Sequence, residues 1–310
     1  MSDVPLMTLF SAPKPFTHPH IDLIQRNAIR SWKQLGEEVS VVLVGEQGEL
    51  AEQASALGVA YLPGVECNAY GTPLISSIFD LARRVNASPL MAYVNADIIL
   101  LPDFLTAARL AMHRLPHFLL VGQRWDLAVQ QVLDFSAGWE QRLMETVRIA
   151  GRRHPPGGSD YFVFPRACYQ HVPPFALGRA GWDNWMIYEA RRQGWAVVDC
   201  SDAIQVVHQD HDYSHLPGGQ PHYRLPESAE NVRMAGGALA IFTLLDANWR
   251  MDGAGFLPPR WSWKKFLREV EIFPLVYLRS YFLAQLVYAL FHPLRAFRQL
   301  RAWLRARLTG

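Results

Sequence analysis

Cysteine is scarce in this chain of 310 residues: Cys67, Cys168 and Cys200 are the only three, and no short spacing links them. An odd, scattered set excludes a disulfide framework and leaves reduced, buried thiols of a cytoplasmic protein as the expectation. No internal repeat and no low-complexity segment is present. The opening stretch, MSDVPLMTLFSAPKPF, lacks a basic region followed by a long apolar one, so a secretory leader is not expected. The aromatic C-terminal region lacks an apolar run of spanning length. Crossing a bilayer takes about 20 apolar residues, whereas its longest stretch free of Lys, Arg, Asp, Glu and His runs only from Ser280 to Phe291.

What is present is apolar material in quantity. Half of the residues are hydrophobic, enough for a large core, and one domain with an appendage is the prior at this length. The net charge of +2 hides an asymmetry. Residues 261–310 hold nine Lys or Arg against two acids, Glu269 and Glu271, so they carry +7 and residues 1–260 carry −5. An acidic body with a basic, aromatic tail points to a partner for the tail.

The body alternates between helical and strand periodicity. LMTLF (6–10) is a short apolar run. Ile21, Ile24, Ala28, Trp32 and Leu35 then recur at helical spacing up to Gly36. VSVVLV (39–44) is strand-like, 50–57 reads as a short helix closed by Gly58, and VAYL follows. Residues 72–85 predict a helix with Thr72 as N-cap and Pro73 at its first position. PLMAYV (89–94) is the next strand, a helix runs from Phe104 to about Leu115, and FLLVG (118–122) is a further strand. Such alternation predicts an α/β fold, a mostly parallel sheet with helices on both faces, which binds ligands at the carboxyl ends of its strands.

Four constellations carry chemistry. Asn95-Ala96-Asp97 follows a strand end inside an apolar run. In extended chain, residues i and i+2 point the same way and address one ligand; a strand-end turn explains the same residues. His208, His211 and His215 lie in HQDHDYSH. They suit a polar surface loop, a zinc site (though no cysteine pair is near), or an imidazole joined to Asp97 around Mn²⁺ or Mg²⁺. In GWDNWMIY, Asp183 is a natural N-cap, while Trp182, Asn184 and Trp185 beside it resemble a sugar-binding shelf whose apolar walls raise a carboxyl toward the pKa of a general base. In PPGGSDYFVF, Ser159 and Asp160 stand ready for a polyhydroxylated ligand, or simply end a tight loop before a strand.

The order of these elements, N-x-D after a strand, a G-S-D strand, a W-D-N-W helix start and a late histidine, resembles the GT-A class of nucleotide-sugar-dependent glycosyltransferases over about residues 5–215. The resemblance implies a Rossmann-like GT-A fold, a nucleoside-diphosphate sugar as donor, a UDP-sugar above others, and a saccharide or lipid-linked saccharide as acceptor. It implies that Asn95, Ala96 and Asp97 stand for the D-x-D motif, that Mn²⁺ or Mg²⁺ sits on Asp97 with His208 or His211, and that Asp183 deprotonates the acceptor in an inverting transfer. Ser11, Ala12 and Pro13, within LFSAPKPF, resemble the part that cups the nucleotide base. One departure is Asn95, where the class has an acid; the last acid usually holds the metal, so Asn95 becomes a ribose or water-mediated partner. Two rivals share the architecture: a sugar nucleotidyltransferase, which wants a glycine-rich loop that FSAPKPF does not offer, and a non-catalytic carbohydrate-binding or scaffold protein.

The tail divides off at residue 259, leaving 1–258 as the GT-A domain. Pro274, Arg279, Gln285, His292 and Pro293 cut its apolar run, and Arg295, Arg298, Arg301 and Arg305 recur at helical spacing as one basic face. Amphipathic helices of this kind lie in a membrane interface, and anionic lipid on the inner face of the plasma membrane attracts such a face. A helical cap or dimer contact is the other explanation. Nucleic acid is not an expected partner, because the body is acidic and no reading motif is present.

Overall fold

Strand residues facing alternate ways divide the core into two layers. Phe10, Val42, Val44, Met91, Tyr93, Leu119, Val121, Phe162 and Phe164 face one, and Met7, Leu9, Val41, Leu43, Leu90, Ala92, Leu120, Tyr161 and Val163 face the other. That is the period of two along strands buried on both sides. The computed structural model describes residues 4–46, 48–211, 222–294, 297 and 301.

The strands are β1 (Met7–Ser11), β2 (Val39–Val44), β3 (Ala60–Leu62), β4 (Leu90–Val94), β5 (Ile98–Leu100), β6 (Phe118–Val121), β7 (Trp125–Leu127), β8 (Arg152–Arg153), β9 (Tyr161–Pro165), β10 (Ala196–Asp199), β11 (Val206–Gln209), β12 (Trp249–Asp252) and β13 (Gly255–Leu257). The helices are α1 (Pro19–Lys33), α2 (Gly48–Leu57), α3 (Ile75–Arg83), α4 (Asp103–Arg114), α5 (Trp139–Ala150), α6 (Trp182–Arg192), α7 (Pro226–Ala235), α8 (Trp263–Val276) and α9 (Tyr281–Phe291).

The larger sheet runs β13-β12-β10-β6-β9-β4-β1-β2-β3. β3, β2, β1 and β4 are mutually parallel, as are β6, β10 and β12. β9 runs antiparallel between β4 and β6, with Tyr161 opposite Val94. Its beginning, not its end, therefore lies at the carboxyl edge of the parallel strands. The expected α/β fold is present, with helices over both faces: α3, α6, α8 and α9 on one, α1, α2 and α4 on the other. A smaller sheet, β5-β11-β7-β8, sits beyond that edge. β11 joins β5, which follows β4, to β7, which follows β6. So β9 and β11 each bridge the N-terminal and C-terminal groups of strands.

Helix starts differ from expectation. α3 begins at Ile75 with Leu74 at its N-cap. Thr72 and Pro73 instead belong to bridges and hydrogen bonds of the preceding turn: the Asn68 amide N–H donates to the Thr72 carbonyl (2.9 Å), and Cys67 bridges Pro73. α6 is capped by Gly181, not Asp183. Gly181 has φ +109°, and a Cβ there would meet the Val232 backbone nitrogen at 3.1 Å. The glycine thus allows both the left-handed turn and the close approach of α7. Cys168 and Cys200 are buried as expected, but Cys67 is exposed, because its turn lies outside both cores.

The tail's first two helices pack on the body. Ile272, Leu275, Val276, Ala284 and Tyr288 join the first core. Polar contacts fix the same face: Arg191 Nη2 donates to Glu269 Oε2 (2.9 Å), Arg268 Nε to Asp246 Oδ1 (2.7 Å), and His292 Nε2 lies 2.8 Å from Glu271 Oε1. The opposite face stays exposed and apolar, with Trp261, Trp263, Phe266, Leu267, Val270, Phe273 and Tyr277. No helix among the described residues is long and apolar enough to cross a membrane. Of the four basic-face arginines, Arg295, Arg298 and Arg305 lie outside the described residues.

Candidate active site

β4 stops at Val94, and the chain turns through Asn95, Ala96 and Asp97 before β5. The Ile98 N–H closes the turn on the Asn95 carbonyl at 3.1 Å. Because the chain is not extended here, Asn95 and Asp97 engage different partners, which corrects the expectation that they point one way. Asn95 faces Asp160 just before β9: its backbone N–H donates to the Asp160 carbonyl (2.9 Å) and its Nδ2 to Asp160 Oδ1 (2.9 Å). Asp97 faces the histidines, its Oδ2 lying 3.0 Å from His211 Nε2 and 3.8 Å from His208 Nε2. Ala96 packs on the second core.

His208 lies within β11, and His211 lies just beyond. The intervening Gln209 is fully buried. Its backbone N–H (3.2 Å) and Nε2 (3.1 Å) both donate to the Asp97 carbonyl, so β11 fixes the Asp97 turn directly. Burial alone would lift the Asp97 carboxyl. The charges of His208 and His211, with Lys14, instead hold it far below the ordinary carboxylate range. Burial likewise opposes a charged His208, but Asp97 and Asp126 outweigh it and raise its pKa.

Donor atoms of Asp97, His208 and His211 lie within 4.8 Å of one another. Asp97 Oδ1 is buried and accepts no hydrogen bond, a costly state for a carboxylate oxygen unless a ligand takes it up. One carboxylate, two imidazoles and open positions fit a divalent cation such as Mn²⁺ or Mg²⁺. His215 lies outside the described residues.

Sequence reasoning missed the residues behind this cluster. Arg124 and Asp126, in and just before β7, form a chain of contacts across the site. Arg124 Nη1 donates to Asp160 Oδ2, and its Nε donates to Asp126 Oδ1 at 2.8 Å. Asp126 Oδ2 lies 2.8 Å from His154 Nδ1, and Asp126 Oδ1 lies 3.3 Å from His208 Nδ1. Burial would raise the Asp126 carboxyl, but His208, Arg124 and His154 pull it well below its ordinary value. The overlooked clue was positional: charges three and five residues after a fully apolar strand, FLLV, repeat the pattern of Asp97, three residues after β4.

Asp183, half-buried on the first turn of α6, borders this cluster. Trp182 beside it packs edge-on against Tyr93 of β4 (ring centroids 5.0 Å) and against Phe162 of β9 (5.3 Å), which sets the start of α6 at the carboxyl edge. Burial pushes the Asp183 carboxyl up to about 6, with the charge of Asp160 adding to it and the Asn184 and Gly181 N–H groups opposing. The aromatic shelf is not there. Trp182 and Trp185 are 4% and 6% exposed, and Trp185 packs on Phe175 and Tyr169. Residues 182, 185 and 186 share the inward stripe of α6, so neither indole offers a face to an acceptor. Asn184 is also committed, its Nδ2 donating to the Phe242 carbonyl at 2.7 Å.

At the end of β1, Ser11 and Pro13 are buried and Ala12 half-buried. Ser11 Oγ is enclosed without a hydrogen bond. Ser159 is buried beside Asp160, ahead of β9.

No protein-family model matches the chain, and no curated protein matches it. Among solved structures it is similar to a mannosyltransferase from Pyrobaculum calidifontis in complex with GDP-Man and Mn²⁺. That match has 14% identity and a TM-score of 0.41, covering 77% of this chain and 63% of that one, less than two thirds of its length. It is also similar to glucosyl-3-phosphoglycerate synthase from Mycobacterium tuberculosis in complex with Mn²⁺, UDP-glucose and phosphoglyceric acid. There the identity is 14% and the TM-score 0.46, covering 76% of this chain and 81% of that one.

Proposed function

We propose that the chain is a metal-dependent GT-A glycosyltransferase that moves a sugar from a nucleoside-diphosphate sugar, a UDP-sugar above others, to a polysaccharide or glycolipid acceptor with inversion. The observation that carries this reading is the meeting, at the carboxyl edge of one sheet, of Asp97 with two imidazoles, together with a carboxyl raised to about 6, Asp183, near Asp160. Asp97, His208 and His211 would hold a divalent cation, which would supply positive charge to the diphosphate leaving group. Asp160 and Asn95 accept and donate hydrogen bonds to the donor's hydroxyls. Ser11, Ala12 and Pro13 line the base end, and Ser159 adjoins Asp160. Asp183, ionised above pH about 6, takes the acceptor hydroxyl proton as that oxygen bonds the anomeric carbon. The bond from that carbon to the diphosphate oxygen breaks on the opposite side, which inverts the configuration.

The test is a donor panel scored by melting temperature with and without Mn²⁺, followed by assay of nucleoside diphosphate release. One UDP-sugar should raise the melting temperature only with Mn²⁺, and release should need both. A chain that no nucleotide sugar stabilises with Mn²⁺ is not this enzyme. Stabilisation without any release, whatever acceptor is offered, points to the non-catalytic carbohydrate-binding protein.

The same reading places the chain on the inner face of the plasma membrane through residues 259–310. Support comes from the exposed Trp263, Phe266, Val270, Phe273 and Tyr277 on α8, continuous in sequence with the arginine-rich end. Each basic residue near an anionic surface contributes about 1 kcal/mol, so the four-arginine face alone adds several. The protein should co-sediment with vesicles containing phosphatidylserine and be partly released by salt. Trp263→Ser with Phe266→Ser and Phe273→Ser should reduce co-sedimentation while leaving the melting temperature close to that of the parent, since those side chains touch lipid and not the core. Equal sedimentation of both proteins, or none of either, defeats this placement.

A further inference from the structure

His208 presents its two ring nitrogens to opposite sides. Nε2 looks toward Asp97 Oδ2 at 3.8 Å, while Nδ1 lies 3.3 Å from Asp126 Oδ1 and 3.7 Å from Asp210 Oδ1. Nδ1 is buried and lacks a well-aligned hydrogen-bond partner, and the carboxylate oxygen nearest to it among the described residues is Asp126 Oδ1. An imidazole that ligates a metal is neutral and carries one proton, which stays on the nitrogen nearest an acceptor. The nitrogen left bare is the ligand atom, and the partner that holds the proton also fixes the ring.

The two carboxylates are not equivalent. Asp210 has a side chain 33% exposed and is paired with Arg152, itself 72% exposed. Asp126 is 14% exposed and is held from two sides, by Arg124 Nε on Oδ1 and His154 Nδ1 on Oδ2, each at 2.8 Å. Arg124 continues to Asp160, so the position of Asp126 is set by β7, β8 and the start of β9 together. A carboxylate fixed in this way can impose one orientation on the histidine that faces it. The same atoms of Asp126, His208 and Asp210 also come within 4.8 Å of one another. Both oxygens of Asp126 are already engaged by cationic or N–H donors, which favours an orienting role over a second cation.

We infer that Asp126 is the positioning residue of the metal centre: it holds the Nδ1 proton of His208 and so turns the bare Nε2 toward a divalent cation at Asp97. The inference rests on the metal reading given above and deepens it. It concerns the whole chain in the absence of donor, so it does not depend on turnover.

The test is titration of the full-length protein with Mn²⁺ alone, followed by electron paramagnetic resonance, with electron spin-echo modulation counting the coordinated imidazole nitrogens. The parent should bind one Mn²⁺ with two imidazoles. Asp126→Ala should bind about 10- to 100-fold more weakly and show one imidazole at saturation. Asp126→Asn retains a neutral acceptor for Nδ1–H and should fall between the two. It also keeps the test open if the alanine variant fails to fold, because unchanged Mn²⁺ affinity in Asp126→Asn would then overturn the inference. His154→Ala, which removes the other imidazole on Asp126, should leave both imidazole signals in place. Two Mn²⁺ per parent chain, two imidazoles in Asp126→Ala at parental affinity, or an equal loss in His154→Ala each overturn it. Asp97→Ala separates the two levels. If it binds Mn²⁺ like the parent, the metal reading fails and this inference with it. If it loses Mn²⁺ while Asp126→Ala does not, only the inference fails.

Discussion

Asp97→Ala should abolish the Mn²⁺-dependent part of nucleotide-sugar binding and lower turnover by on the order of 10³-fold, the equivalent of several kcal/mol of charge stabilisation at the leaving group. The substitution removes the one carboxylate among the described residues that faces both His208 and His211. It leaves the local fold intact, because Gln209 holds the Asp97 turn through the main-chain carbonyl and not through the side chain. Calorimetry of a UDP-sugar with and without Mn²⁺, on protein shown to melt cooperatively, measures the effect. A folded variant with parental nucleotide–Mn²⁺ affinity would falsify the assignment. His208→Ala and His211→Ala should each weaken Mn²⁺ less than Asp97→Ala, since one imidazole remains in either case.

Asp183→Asn should lower turnover on the order of 10²-fold or more with donor affinity little changed, since this side chain borders the cluster without joining it. The pH profile carries independent information. Burial raises the Asp183 carboxyl to about 6, so in the parent the rate climbs as pH rises through that value and the carboxylate forms. In Asp183→Asn the acid limb at that position disappears. The sign for stability is opposite. A carboxyl whose folded pKa exceeds its unfolded one binds its proton more tightly in the folded state, so its contribution is fully present below about 4 and is lost as pH rises through about 6. The asparagine variant should therefore lose this pH-dependence of melting while losing activity. Near-normal transfer by the variant makes Asp183 a structural residue, and product retaining the donor's anomeric configuration rules out its role as base.

The parts of the site that the sequence made legible are those written in short local patterns. Asp97 stood out because a carboxylate inside an apolar run needs a reason, and His208 and His211 because histidines at i and i+3 on a polar loop are conspicuous. Asp183 was legible as an acid at a helix start, though its capping role went to Gly181, whose positive φ no pattern of side chains announces. What failed was the inference from composition to exposure. Trp182 and Trp185 read as a shelf because tryptophan beside acid suggests sugar. Yet their spacing with Met186 and Ala190 is that of a buried helical stripe, and packing against Tyr93, Phe162 and Phe175 decided the matter. Arg124 and Asp126 were illegible for a different reason. Their partners Asp160, His154 and His208 come from β-strands and loops far along the chain, and only strand register brings them together.

The two bridging strands have a consequence for cooperativity. β9 joins the N-terminal and C-terminal strand groups in the larger sheet, and β11 joins them in the smaller one. Asn95 and Asp97 belong to the first group, Arg124 and Asp126 to the second, and Asp160 and His208 to the bridges. A ligand that touches this set spans the seam of the molecule. Its binding free energy then enters as a further link between the two strand groups, beside the shared core and the bridging strands, and at 1,000 times its dissociation constant a ligand of the folded state contributes about 4 kcal/mol. Opening of the seam and emptying of the site become one event, so amides of β9 and β11 should slow their hydrogen exchange together when donor and cation bind, while those of the outlying β3 and β13 respond least.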